Sequence, residues 1–112
     1  EVGASSFQFG KNITAEFSNY GPQSVDVFAP GHLIYATMPG NAYDFNSGTS
    51  MAAPVVSGMA ALIRGMYPEL TARQVRDIIR RSVQPVDDKV NRPGSKKTVP
   101  FTTLSATNGV VN

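Results

Sequence analysis

Apolar residues occur in short runs over the first 47 positions and change to a longer helical pattern from about residue 49. The run at 25–29 is mostly apolar on both faces, with Asp26 as its one charged residue, which is typical of a strand that is covered on two sides. The runs at 33–37 and 43–46 flank a Pro-Gly-Asn turn, which predicts a hairpin at a sheet edge. We therefore expect strands and an edge hairpin within residues 1–47.

Two helices are predicted in the middle of the chain. Residues 51–67 are rich in Ala, Met, Leu and Val, with almost no charge before Arg64, so apolar side chains would occupy every side of a helix at about 49–67. Such a helix is expected to be central and buried. The second helix, at about 72–83, has Thr71 as its N-cap and Gln74 as the partner in a capping box. Its charged face indicates an outer amphipathic helix.

The remaining residues, 84–112, are predicted to form a loop and short closing strands. The segment from 87 to 98 is polar, and its part at 92–97 has the composition of a mobile loop. Residues 101–104 and 110–111 are short apolar runs that suit closing strands. Strands, two helices and further strands together indicate an α/β protein.

Composition and charge narrow the class of protein. The 112 residues have 41% hydrophobic content, which suffices for one small core, and the net charge is only +2. The arginines between 73 and 81 are interspersed with Asp77 and indicate a solvated helix face, so we expect no nucleic-acid partner. No apolar stretch approaches the roughly 20 residues of a membrane span, and the absence of cysteine excludes disulfides and thiolate metal sites.

The candidate chemistry lies where the predicted central helix begins. Ser50 follows Gly48 and Thr49, and a glycine there permits a sharp turn and the close approach of a substrate. The free N–H groups and the positive dipole end of the helix would favour negative charge on a carbonyl oxygen during acyl transfer. Serine at a helix start is more often an N-cap, so position alone leaves capping and catalysis both open.

The wider sequence favours catalysis. Gly-Thr-Ser-Met-Ala-Ala-Pro at 48–54, with the apolar segment that follows it, closely resembles the serine motif of the subtilase family. Residues 17–31 resemble the loop and strand that precede this motif, and residues 71–83 and 108–112 resemble its continuation. The resemblance implies a three-layer α/β/α fold with a mostly parallel sheet, of which residues 1–112 would be the C-terminal portion of the catalytic domain.

The resemblance implies a serine endopeptidase with Ser50 as nucleophile. Asn46, Ser47, Gly48 and Thr49 would bind substrate along the cleft. The family's order is Asp, His, Ser, so the aspartate and histidine partners would precede residue 1. His32 lacks the sequence context of the family's base and is expected to be a turn residue. An inactive subtilase-like scaffold or binding module is the alternative.

Cofactors and partners follow from the same resemblance. The chemistry requires no cofactor and no metal site is expected in this chain, although a structural calcium ion in the complete domain is compatible with the family. Asp26 is either a ligand of such an ion or a strand-end carboxylate held by backbone N–H groups. The implied partners are a protein or peptide substrate and the remainder of the catalytic domain. Produced alone, the segment is expected to be inactive and to expose apolar surface on the helix at 49–67. We therefore expect it either to associate with the preceding part of its domain or to form a homo-oligomer. The implied location is secreted or extracytoplasmic.

Overall fold

The computed structural model describes all 112 residues, which form eight short strands, two α-helices and two 3-10 turns. In chain order the elements are β1 (Val2–Ser5), a 3-10 turn (Gly10–Asn12), β2 (Val27–Pro30), β3 (Ile34–Met38), β4 (Ala42–Asn46), α1 (Thr49–Met66), α2 (Ala72–Arg81), β5 (Gln84–Pro85), β6 (Lys89–Asn91), β7 (Thr98–Pro100), a second 3-10 turn (Phe101–Thr103) and β8 (Gly109–Val110). The order confirms an α/β chain.

The main sheet has the strand order β1-β2-β8-β5. Strand β2 lies between β1 and β8 and is parallel to both, whereas β5 pairs with β8 in the antiparallel sense. The sheet is therefore mostly parallel, as the sequence predicted. The apolar character of β2 on both faces agrees with its position, since Val27, Phe28 and Ala29 are all buried.

The two faces of the sheet are covered by different kinds of side chain. On one face Phe28 packs edge-on against Phe101, with ring centroids 5.0 Å apart, in a cluster completed by Val25, Val90 and Leu104. On the other face a second cluster contains only small residues: Ala4, Ala15, Ala29 and Ala52. Because alanine side chains are short, α1 can approach the sheet closely on that face.

Helix α1 ends one residue before the predicted boundary at 67, and one of its faces is uncovered within this chain. Only Ala52 is buried, while Leu62 and Met66 are 70% and 67% exposed. One face of the helix packs on β1, β2 and α2, and no element of these 112 residues covers the opposite face. The expectation of a central helix concerns a complete domain, in which sequence outside residues 1–112 would supply the missing cover, so the exposed face of α1 in this chain agrees with it.

The predicted capping box of α2 is confirmed. The Thr71 hydroxyl accepts a hydrogen bond from the backbone N–H of Gln74, and the Gln74 side chain accepts one from the backbone N–H of Thr71. Val75 and Ile79 form its buried face. The helix ends at Arg81, two residues before the predicted boundary, with the Ser82 N–H closing the last turn on the carbonyls of Ile78 and Ile79.

Two predictions outside the helices require correction, and a third is incomplete. Residues 101–104 form a 3-10 turn and not a closing strand, because this turn places Phe101 and Leu104, three residues apart, in the same buried cluster. The polar segment at 92–97 is a loop, as its composition predicted, and it joins β6 and β7, an antiparallel pair that the sequence did not predict. The hairpin of β3 and β4 forms a separate two-stranded sheet and does not pair with an edge of the main sheet.

Candidate active site

Ser50 is the second residue of α1 and its side chain is exposed. The N-cap position belongs to Gly48, and no side chain caps this end of the helix. The alternative in which Ser50 serves as an N-cap is therefore wrong. The hydroxyl of Ser50 lies at the surface without a structural hydrogen bond to occupy it.

The turn before Ser50 is held by two hydrogen bonds to the segment after β2. The backbone N–H of Gly48 donates to the carbonyl of Gly31 at 2.7 Å. The N–H of Leu33 donates to the Ser47 hydroxyl at 2.8 Å. These bonds join two segments that are about 15 residues apart in sequence, and they set where α1 begins and how Ser50 is presented.

Gly31 makes this arrangement sterically possible. A Cβ at position 31 would lie 2.7 Å from the Cβ of Ala4, 2.7 Å from the carbonyl oxygen of Gly48 and 3.1 Å from the Cβ of Ala52. All three distances are shorter than ordinary van der Waals contacts. The absence of a side chain at Gly31 therefore lets β1, the turn at Gly48 and α1 converge. The sequence gives no sign of this role for Gly31, because the close approach is a tertiary contact with no local signal.

The other two predicted substrate-binding residues, Asn46 and Thr49, flank the turn formed by Ser47 and Gly48. Asn46 ends β4, and its side-chain amide lies 3.2 Å from the sulfur of Met38. Thr49 begins α1 and is partly buried. The segment from Asn46 to Ser50 thus runs from a strand end through a turn into the first helical turn.

The electrostatic character of this helix start suits a developing anion. The first N–H groups of an α-helix have no carbonyl partner within the helix, and the helix dipole places partial positive charge there. Neither an acidic residue in the first turn nor a capping side chain competes for these groups in α1. The backbone N–H of Ser50 belongs to this turn.

His32 and Asp26, which the sequence analysis considered, contact residues other than Ser50. The imidazole of His32 stacks on Phe7 at a centroid distance of 5.5 Å and meets Phe17 edge-on at 6.0 Å. The Asp26 carboxylate lies 3.5 Å from the Arg80 guanidinium, and it accepts a hydrogen bond from the nitrogen of Glu1 at 2.6 Å. No cluster of three or more His, Cys, Asp or Glu side chains is present.

Residues 2–105 match the family model described as "Subtilase family". This chain belongs to the subtilase family. Over 72 residues this subtilase is 49% identical to Subtilisin-like protease 2 of Plasmodium falciparum (isolate 3D7), a match that covers 59% of this chain and 5% of that protein. It is 51% identical over 63 residues to Subtilisin DY of Bacillus licheniformis, covering 56% of this chain and 23% of the relative.

A solved structure gives the same result at the level of the fold. Sphericase superposes on this subtilase with a TM-score of 0.70 and 30% sequence identity, over 80% of this chain and 33% of that one. The subtilisin-like α/β fold with a mostly parallel sheet is thereby confirmed. The chain spans a third or less of these relatives. Neither of its two helices is both long enough and apolar enough to cross a membrane.

Proposed function

We propose that this subtilase is a serine endopeptidase, or the part of one that carries the nucleophile, and that Ser50 is that nucleophile. The observation that carries the proposal is the exposed Ser50 hydroxyl at the first turn of α1, where glycine and not serine occupies the N-cap position. Membership of a protease family supports hydrolysis of peptide bonds as the reaction.

The chemistry follows the acyl-enzyme route. The Oγ of Ser50 attacks the carbonyl carbon of a peptide bond while a histidine removes its proton. The carbonyl oxygen becomes an oxyanion, which the N–H of Ser50 and the positive end of α1 stabilise. The C–N bond then breaks, and the amine leaves with the proton from the histidine. In the second half of the reaction the histidine takes a proton from water, whose oxygen attacks the acyl carbon, and the bond to the Ser50 Oγ breaks as the histidine returns the proton to it.

The partners of Ser50 are assigned to the rest of a complete domain. A histidine base and an aspartate that orients it would come from sequence outside these 112 residues. The same remainder would cover the apolar face of α1, where Leu62 and Met66 are exposed in this chain. Produced without that cover, the segment is expected to be inactive, because a serine without an adjacent base is a weak nucleophile, and to self-associate.

The substrate is a protein or peptide, and Asn46, Ser47, Gly48 and Thr49 would line the cleft beside the scissile bond. The backbone of this segment is oriented by the Gly48 to Gly31 and Leu33 to Ser47 hydrogen bonds, which supports a positioning role for it. The reaction requires no cofactor. Structural calcium in the complete domain and export from the cytoplasm are proposed on family membership alone.

The decisive variant is Ser50→Ala in the complete protein, assayed with a chromogenic peptide. We expect kcat to fall by more than about 1,000-fold with the fold unchanged, because alanine is a good helix former but has no nucleophile. Ser57→Ala is the matched control, since Ser57 lies on the same helix and its hydroxyl only donates to the carbonyl of Ala53 at 3.2 Å. Equal activity of Ser50→Ala and wild type would refute Ser50 as nucleophile, and absence of hydrolysis by the wild type would favour the inactive scaffold.

A further inference from the structure

A polar cavity of about 500 Å³ is lined by none of the residues from Asn46 to Ser50. Its walls come from the loop between β1 and β2, from His32 and from the hairpin tip at residues 91–96, and only two of its 14 lining residues are hydrophobic. This volume is within the range of sites that bind small molecules, although most such sites have more apolar walls. Polar walls of this kind favour a ligand that itself carries charge or several hydrogen-bonding groups.

The cavity is built from segments that are fixed to one another. The Thr14 hydroxyl donates to the carbonyl of Asn91, and the side-chain amide of Asn91 donates to the Asn12 side chain at 2.8 Å. The N–H of Gly94 donates to the carbonyl of Glu16 at 2.7 Å. These bonds span nearly 80 residues of sequence and hold the hairpin tip against the loop, so the cavity exists before any ligand enters.

Arg92 is the feature that most strongly indicates a ligand. Its Nε atom is buried and has no hydrogen-bond partner. Buried N–H donors almost always have an acceptor in folded proteins, so an oxygen atom of a ligand in the cavity that Arg92 lines would supply the missing acceptor. Arg92 also forms no salt bridge, and neither does Lys96, which lines the same cavity.

The charges of the lining residues favour an anion. Arg92 and Lys96 carry two positive charges, and Glu16 is the one carboxylate that lines the cavity. Hydroxyl groups of Ser6 and Ser95 add donors. A guanidinium presents two parallel N–H groups that match the two oxygens of a carboxylate.

We propose that this cavity, defined by Arg92, Lys96, Glu16 and His32, is a binding site for a small organic anion that carries carboxylate groups. Arg92 is the principal donor and Lys96 adds a second positive charge. Glu16 opposes the ligand electrostatically and limits its affinity. The site uses none of the residues from Asn46 to Ser50, so the proposal is independent of the peptidase assignment.

Citrate is the probe, titrated into the protein by isothermal calorimetry and followed by NMR chemical shifts. Arg92→Gln is expected to weaken citrate binding by about tenfold or more, because a charge-assisted hydrogen bond is lost. Arg81→Gln is the matched control on α2, where an exposed arginine also has no salt bridge, and it should leave the affinity within about twofold.

Two further variants test whether positive charge in the cavity strengthens citrate binding and negative charge weakens it. Lys96→Gln should weaken citrate binding several-fold, and it provides a test independent of Arg92 if Arg92→Gln does not fold. Glu16→Gln should strengthen binding, since it removes the one carboxylate in the cavity. The proposal is overturned if citrate does not bind the wild-type protein, or if the substitutions at 92 and 96 weaken binding no more than the substitution at 81.

Discussion

Gly31→Ala tests whether the close convergence of β1, the Gly48 turn and α1 sets the geometry at Ser50. The added Cβ would lie 2.7, 2.7 and 3.1 Å from the Ala4 Cβ, the Gly48 carbonyl oxygen and the Ala52 Cβ. None of these atoms is the end of a flexible side chain, since two are fixed to backbone by a single bond and one is backbone. Relief of the contacts therefore requires a sheet strand, a turn or a helix to move.

The magnitude follows from two opposing effects. Overpacking of a close-packed site costs about 1 to 3 kcal/mol, and replacing glycine by alanine recovers about 0.4 to 1 kcal/mol by restricting the unfolded chain. Because three rigid contacts are shortened at once, we expect the upper part of the first range and a net loss of about 1 to 2 kcal/mol in the free energy of unfolding. Displacement of Gly48 should also lower kcat, since a shift of about 1 Å at a catalytic group can cost about 100-fold.

The assay is urea unfolding of the complete protein, with the m-value checked for constancy, together with peptide hydrolysis. Gly65→Ala is the control because a Cβ there meets nothing within 4 Å and the position lies near the end of α1. Alanine at 65 should stabilise the helix by about 0.5 to 1 kcal/mol. A Gly31→Ala protein as stable and as active as the wild type would refute the role assigned to Gly31.

Two other predictions concern the core and the charged face of α2. Phe101→Ala should lower the free energy of unfolding by about 3 to 5 kcal/mol, because the ring is buried against Phe28. Phe9→Ala is the control and should change it little, since the Phe9 side chain is 91% exposed. Equal effects of the two substitutions in urea unfolding would contradict the placement of residue 101 in the core. The hydrogen bond from Arg76 lowers the pKa of Asp77, with the charges of Arg76, Arg73 and Arg81 acting in the same direction and desolvation opposing them. Arg76→Gln should raise that pKa toward its ordinary value, and more than Arg73→Gln does, in an NMR titration of the carboxyl. The folded-state pKa is the depressed one, so the stabilisation from Asp77 is present above its unfolded pKa and is lost as the pH falls through the folded pKa, a loss that Arg76→Gln should diminish.

Features with local signals could be predicted from the sequence. The capping box at Thr71 and Gln74 depends on residues three apart, and it defined the start of α2 correctly. The apolar strand at β2 and the transition to a helix after Gly48 are also local patterns. The motif around Ser50 located the candidate site because its residues are contiguous.

Features set by tertiary contacts could not be predicted in this way. Residues 101–104 are apolar enough for a strand, but their burial beside Phe28 is achieved by a 3-10 turn. The polar composition of 92–97 predicts a loop, but the strands on either side of it are only three residues long and give too short a pattern to predict a hairpin. The convergence at Gly31 and the unpaired Nε of Arg92 depend on segments distant in sequence, and no periodicity or motif reveals such contacts.

The most direct test of the central claim is to identify the residue that a sulfonyl fluoride modifies in the complete protein. The reagent reacts with a serine hydroxyl that an adjacent base has activated. Peptide mapping by mass spectrometry should find one sulfonylated site, at Ser50, with loss of hydrolysis in proportion to labelling and no labelling of Ser50→Ala. Labelling of a different serine, or an unmodified Ser50 in protein that the reagent has inactivated, would contradict the assignment of Ser50 as nucleophile.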